Sequence, residues 1–271
     1  MTQRYASVLV TGASSGMGKD FALRLIKDGY TVFAAARSVE KMTDLADAGA
    51  TVIAMDISKD DDIVAAAEQI NAAGGVDVLI NNAGYGQYGP VEDTPIDTAR
   101  YQFEVNLFGL ARITQLLLPG MRSKGKGLIV NISSMGGKIY TPLGAWYHAT
   151  KHAVEGWSDC LRLELKPHGI DVVIIEPGLI DTGFATGVQD QFKVAENSAY
   201  TGLAEALNKT YETGENPMSP PSLVTDMVMR AIGASKPKTR YAGGALARPS
   251  IFLRWLLPDR WFDRMIMSQI R

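Results

Sequence analysis

Ser7-Val8-Leu9-Val10-Thr11-Gly12-Ala13-Ser14-Ser15-Gly16-Met17-Gly18 is the stretch on which the fold turns. Ser7–Val10 is an apolar run of strand type, and after the glycine-rich turn Lys19, Phe21, Ala22, Leu25 and Ile26 follow a helical pattern. Gly12, Gly16 and Gly18 permit a tight turn and close backbone approach, while the unpaired N–H groups at the helix start face an anion such as a pyrophosphate. Ser14, Ser15 and Met17 complete the loop. A glycine triplet alone is weak evidence; a strand before it and a helix after it are what a dinucleotide site requires.

Working outward, the same alternation continues. Apolar runs recur at Thr31–Ala36, Thr51–Met55, Val76–Ile80, Leu128–Ile132 and Asp171–Ile175. Between them lie helical patterns at Gly16–Asp28, Glu40–Asp47, Lys59–Ala72, Asp97–Ser123 and Tyr147–Pro167, with Ser222–Ala234 after the last. Gly29, Gly49, Gly74 and Gly169 stand where helix stops belong. Runs apolar on both faces suit parallel strands covered on each side, so the expected fold is α/β: a single Rossmann-like, doubly wound parallel sheet flanked by helices over residues 1–271. Residues 179–216 break the rhythm beyond the sixth strand, at the edge where such sheets bind ligands, and read as a substrate-covering segment.

Composition narrows the function. With 27 Lys plus Arg against 29 Asp plus Glu, the formal charge of −2 offers no field to gather nucleic acid or an anionic membrane. A single cysteine, Cys160, rules out an internal disulfide or a thiolate metal cluster and suits a reducing compartment, so a cytoplasmic location is expected. The N-terminus lacks the pattern of a secretory signal and reads as mature from the start. No window reaches the ~20 consecutive apolar residues needed to span a bilayer.

The other motifs fall in a fixed order: Asn81-Asn82-Ala83-Gly84 after the fourth strand, Asn106 in the next helical segment, Ser133-Ser134 after the fifth, Tyr147 and Lys151 as YxxxK, and Pro177-Gly178 after the sixth. Together with TGxxxGxG this resembles the classical short-chain dehydrogenase/reductase family over roughly residues 5–245. The stretch Asn82-Ala83-Gly84-Tyr85-Gly86-Gln87-Tyr88-Gly89-Pro90 is similar to the 17β-hydroxysteroid dehydrogenase-like group. A sugar-nucleotide epimerase would more often carry TGxxGxxG and a longer C-terminal domain; a nucleotide-sensing protein without catalysis would be expected to lack the Tyr, Lys or Ser.

Tyr147 and Lys151 share one helix face, and an ammonium near a phenol favours the phenolate, whose free pKa is about 10. The resemblance implies that Tyr147 exchanges a proton with the substrate oxygen, that Lys151 also holds the nicotinamide ribose, and that Ser134 polarises the carbonyl. Ser134 is preferred to Ser133 on the family's spacing to its tyrosine. Asn106 would bend its helix and hold a water that relays protons to Lys151. The resemblance assigns Asn82, Ala83, Gly84, Pro177, Gly178, Ile180 and Thr182 to the cofactor, and Asp56-Ile57 to its adenine. His148 and His152 are spaced as helix ligands, but without a third ligand they read as ordinary histidines and no metal is expected.

NADP is expected over NAD, with NAD as the alternative. The second strand ends at Ala36, where an NAD site commonly carries an acid, while Arg37, Ser38 and Ser14 offer donors to a 2′-phosphate. Around the carbonyl, Tyr88, Tyr140, Trp146 and Phe184, with Tyr85, Met135, Leu143 and Phe192, predict an apolar pocket. The substrate is then a hydrophobic ketone, aldehyde or secondary alcohol; Lys138 is the one cation within reach for a carboxylate. The tail, residues 249–271, mixes aromatics with arginines and is open to self-packing, oligomer contact or association with a membrane surface. The resemblance implies a homodimer or homotetramer built through Asp97–Ser123 and Tyr147–Pro167.

Overall fold

The computed structural model describes residues 4–182, 194, 197–212 and 218–270. Seven parallel strands form one sheet in the order β3-β2-β1-β4-β5-β6-β7. They are β1 Ser7–Thr11, β2 Thr31–Ala36, β3 Thr51–Ala54, β4 Val78–Asn81, β5 Gly127–Ile132, β6 Ile170–Pro177 and β7 Arg240–Gly243. The order reverses between β1 and β4, so a crevice opens at their carboxyl ends.

Period-two alternation sends neighbouring strand residues to opposite layers. Val8 and Val10 of β1 join one core with Phe21 and Leu25 of α1 (Gly16–Lys27) and Val228 and Ile232 of a helix at Pro221–Gly233. Leu9 turns to the other core, where it meets Ile70 of a helix at Asp60–Ala72, Ile113 and Leu117 of a helix at Gly109–Lys124, and Leu161 of one at Ala145–Leu165. In chain order the helices are α1, α2 (Thr43–Asp47), α3 (Asp60–Ala72), α4 (Ile96–Phe103), α5 (Gly109–Lys124), α6 (Ala145–Leu165), α7 (Thr201–Glu212), α8 (Pro221–Gly233), α9 (Ala247–Leu256) and α10 (Asp259–Ser268).

Six strands and the principal helices lie where the periodicity puts them; β7 does not come from it. The expected helix Asp97–Ser123 is interrupted by a π-helical turn, Glu104–Phe108, centred on Asn106. This turn joins α4 to α5 at the residue where a bend is expected. Buried amides tie the sheet together under the crevice: Asn81 Nδ2 donates to Asn131 Oδ1 (2.9 Å) and Thr114 Oγ1 (3.1 Å), and Asn131 Nδ2 to Ser158 Oγ (2.8 Å). Orphaned amides at this depth would each be costly, so the network fixes the spacing of β4, β5, α5 and α6.

Candidate active site

The glycine turn is locked to the end of β4. Thr11 Oγ1 accepts the N–H groups of Asn82 and Ala83 (both 3.0 Å), and Asn82 Nδ2 donates to the Thr11 carbonyl (3.0 Å). Gly12 has φ +68° and Gly16 φ +54°. A Cβ on Gly18 would stand 2.3 Å from the Gly12 carbonyl oxygen and 2.4 Å from Asn82 Nδ2. Gly18 therefore serves close packing of α1 on the turn, and it does not line the cleft. The first turn of α1 has no acidic residue and Ser15 makes no side-chain cap, which leaves its N–H groups for an anion. A dinucleotide pyrophosphate fits this cradle.

From the turn a cleft runs in two directions. One arm is lined by Ser14, Ser15, Gly16, Ala36, Arg37, Ser38, Asp56, Ile57 and Ala83, and also by Lys41 and Tyr101. Arg37 Nη1 donates to the Tyr101 hydroxyl (3.4 Å). Burial of Asp56 opposes its ionisation, yet bonds from the Ser58 N–H and hydroxyl, with Arg37 nearby, hold its carboxyl below the ordinary range. Met17, Asn82, Gly84, Tyr85 and Thr182 line both arms, so the two are one continuous groove. The second arm contains Tyr88, Ser133, Ser134, Met135, Tyr147, Lys151, Pro177, Gly178 and Ile180.

α6 presents Tyr147 and Lys151 to this arm. Lys151 is buried and its Nζ donates to the Ile132 carbonyl (2.8 Å), 6.0 Å from the centre of the Tyr147 ring. Burial lowers its pKa to about 8, against the opposing charge of Glu155. Tyr88 packs on the Tyr147 ring with centroids 5.4 Å apart. Ser134 Oγ accepts the Gly136 N–H (3.0 Å), which leaves its hydrogen for a substrate oxygen. Ser133 also lines the arm, but it is buried and its Oγ has no hydrogen-bond partner among the described residues. Asn106 is held by three bonds: Oδ1 accepts Tyr85 N–H (3.0 Å), while Nδ2 donates to the Tyr85 carbonyl (2.8 Å) and Thr150 Oγ1 (3.1 Å). Both amide hydrogens are thus committed to protein, so a water at Asn106 would have to donate to one of its oxygens.

Three pocket expectations need correction. The Tyr140 side chain does not enter the pocket; its hydroxyl donates to Asp263 of α10 (2.8 Å) and its ring packs on Phe262, 5.2 Å between centroids. Trp146 is adjacent to Tyr147 on α6, and the helical turn carries it off the lining. Lys138 pairs with Glu155 (2.8 Å) and lies near Glu176 (4.0 Å), where Arg240 of β7 also binds both carboxylates. Burial, with Glu155 beside it, pushes the Glu176 carboxyl up. Phe184 and Phe192 lie outside the described residues.

His148 is the residue that sequence reasoning undervalued. Its Nε2 accepts the Thr141 N–H (3.1 Å), so the proton lies on Nδ1, which donates to the Gly136 carbonyl (2.9 Å). The neutral ring ties Gly136 to Thr141 within the connection 133–144 that carries Ser134, and burial lowers its pKa. The only signal in the sequence was its place beside Tyr147. Lys41, in the 3-10 turn Val39–Met42 that follows Arg37 and Ser38, was missed as well.

The comparisons agree with this geometry. The family model for short chain dehydrogenase matches residues 6–193. The chain belongs to the short-chain dehydrogenase family. It is 34% identical over 259 residues to a probable short-chain type dehydrogenase/reductase, VdlC, of Helicobacter pylori, covering 95% of each chain. An NADPH-dependent 3-dehydrocapnine reductase of Ornithobacterium rhinotracheale is 31% identical, with 99% of this chain and 98% of that one covered. Among solved structures, a short-chain dehydrogenase from Streptomyces avermitilis superposes with a TM-score of 0.82 at 36% identity, covering 94% of each chain. Actinorhodin polyketide ketoreductase with NADPH superposes at 0.72 and 34% identity, over 86% of this chain and 92% of that one. As a short-chain dehydrogenase, the protein is an oxidoreductase.

Proposed function

We propose that the chain is an NADP-dependent oxidoreductase that interconverts a hydrophobic ketone or aldehyde and the corresponding alcohol. The observation that carries this reading is the single groove joining the Gly12–Gly18 turn and Arg37 at one end to Tyr147, Lys151 and Ser134 at the other. NADP, when bound, supplies or accepts the hydride.

The protein's residues do the rest. Ser134 donates a hydrogen bond to the carbonyl oxygen and orients it. Tyr147 gives that oxygen its proton in reduction and removes it in oxidation. The buried Lys151 ammonium stabilises the phenolate left behind and offers further donors to the ribose. Gly84, Pro177, Gly178, Ile180 and Thr182 wall the nicotinamide end; Asp56, Ile57 and Ala83 the adenosine end. Tyr88, Met135, Ile139, Leu179 and Met218 make the surroundings of the reacting carbon apolar, which excludes water and favours a hydrophobic substrate.

NADP is favoured by the groups near the end of β2. Ala36 carries no carboxylate to repel a 2′-phosphate, and Arg37, Ser38 and Lys41 line the same arm. The NADPH dependence of the Ornithobacterium relative and the NADPH bound by the ketoreductase support the choice. A panel of apolar ketones and aldehydes offered with NADPH and with NADH, followed by absorbance of the reduced ring, tests the reading. Turnover with NADPH preferred is the expected result; no turnover on any apolar carbonyl, or preference for NADH, contradicts it.

A further inference from the structure

α9 and α10 form a helical pair closed on the inside and open on the outside. Inside, Phe262 is fully buried and Arg254 lies over the rings of Tyr140 (5.2 Å) and Phe262 (5.5 Å); at the surface, Asp259 pairs with Arg254 (2.8 Å) and Asp263 accepts from the Tyr140 hydroxyl (2.8 Å). Ile270, just beyond α10, packs against the cluster of Tyr88, Leu143 and Tyr147. Outside, Trp255 is 78% exposed, Trp261 62%, Phe252 55% and Leu256 54%. Phe252, Trp255 and Leu256 share one face of α9 by their spacing, one turn beyond the exposed Arg248. Arg260 and Arg264 are one turn apart on α10, with the Arg264 guanidinium 5.7 Å from the Trp261 ring centre. Among the described residues, none of Arg248, Arg260 and Arg264 is in an ion pair.

We propose that the outer surface of α9 and α10 docks on an anionic lipid bilayer, with Phe252, Trp255, Leu256 and Trp261 in the interface and Arg248, Arg260 and Arg264 against the headgroups. Two exposed tryptophans with a further aromatic and a leucine far exceed the scattered apolar residues that an ordinary surface carries. Tryptophan suits the boundary between headgroup and hydrocarbon because its ring is apolar and its N–H polar. The charge pattern selects the lipid: Arg248, Arg260 and Arg264 are exposed and outnumber the exposed acids of the pair, of which Asp259 is already paired with Arg254, on a protein whose formal charge is −2. A second copy of the chain meeting this surface across a two-fold axis would set arginine against arginine, which disfavours that occupant. The helices are too short to span, and no described helix is long and apolar enough to cross a membrane, so the contact is interfacial.

The test uses the full chain, without substrate, in co-sedimentation with vesicles of phosphatidylcholine alone and of phosphatidylcholine mixed with phosphatidylglycerol. The expected result is binding to the anionic vesicles, with a blue shift of tryptophan emission, reversed by raised salt. R260E/R264E should weaken binding more than roughly tenfold, at about 1 kcal/mol per arginine near the surface, and W255A/W261A should abolish it. Both variants should keep the cofactor affinity of the unaltered protein, which shows that they remain folded. Failure to bind anionic vesicles, binding indifferent to R260E/R264E, or a surface shown by sedimentation velocity to be buried in a dimer that W255A/W261A dissociates would each overturn the proposal. None of these readouts depends on turnover, so the surface and the catalytic reading stand or fall separately.

Discussion

Lys151 Nζ lies 6.0 Å from the centre of the Tyr147 ring, buried and tethered to the Ile132 carbonyl at 2.8 Å. An ammonium buried there acts on the phenol with less screening than bulk water would give, and its own pKa, lowered to about 8, still leaves it mostly charged at neutrality.

Lys151→Met removes both that charge and the donors proposed for the ribose. Turnover is expected to fall at least as far as loss of one general acid–base contribution, about 10²-fold or more, and the remaining activity to move to higher pH. Cofactor affinity should weaken in the same variant. A pH–rate profile and a cofactor titration that both match the unaltered enzyme would remove Lys151 from the mechanism.

At the other end of the groove, Arg37→Ala should weaken NADPH by about 1–3 kcal/mol, the range for a lost hydrogen bond to a charged group, and leave NADH nearly unchanged. Lys41→Ala should act in the same direction. Equal losses for both cofactors, measured by fluorescence titration, would show that neither residue reads the 2′-phosphate.

Gly18→Ala places a methyl group against the Gly12 carbonyl at 2.3 Å. The turn has to shift, so a destabilisation of about 1–3 kcal/mol by denaturant titration is expected, together with weaker cofactor binding. A stable variant with unchanged affinity would mean that α1 does not pack on the turn as described.

His148 supplies a pH dependence. Its pKa is lowered in the fold by burial, and Nε2 has to stay unprotonated to accept the Thr141 N–H. As pH falls below the unfolded value of about 6.5, the unfolded chain takes up the proton first, so stability declines down to the folded pKa. His148→Asn should flatten that decline. An identical acid limb in the two proteins would exclude the histidine as its source.

Much of this was legible in the sequence, for stated reasons. β1, β2 and β4 to β6 were visible because strands buried in the sheet are continuous apolar runs, and the edge strand β3 still carries Val52-Ile53-Ala54, whereas β7, Arg240–Gly243, is a partly exposed edge strand of four residues led by an arginine. The glycine turn, Asn82, Tyr147 and Lys151 announced themselves by order and spacing. Tyr140 and Trp146 misled because an aromatic near a catalytic residue has two destinies, and only tertiary packing decides: Asp263 and Phe262 of α10 claim Tyr140. His148 was passed over because a histidine's value lies in its partners, Gly136 and Thr141, which no periodicity reveals.

The central claim, that Tyr147 moves the proton in a nicotinamide-dependent carbonyl reaction, is tested most directly by Tyr147→Phe. The variant keeps the ring that packs on Tyr88 and loses only the hydroxyl. The measurement is steady-state turnover of an apolar ketone with NADPH, paired with NADPH affinity by fluorescence. The expected result is an NADPH Kd equal to that of the unaltered protein and a kcat reduced by about 10²–10⁴-fold, the range for loss of a positioned general acid. A variant that binds NADPH and retains most of its kcat would contradict the account.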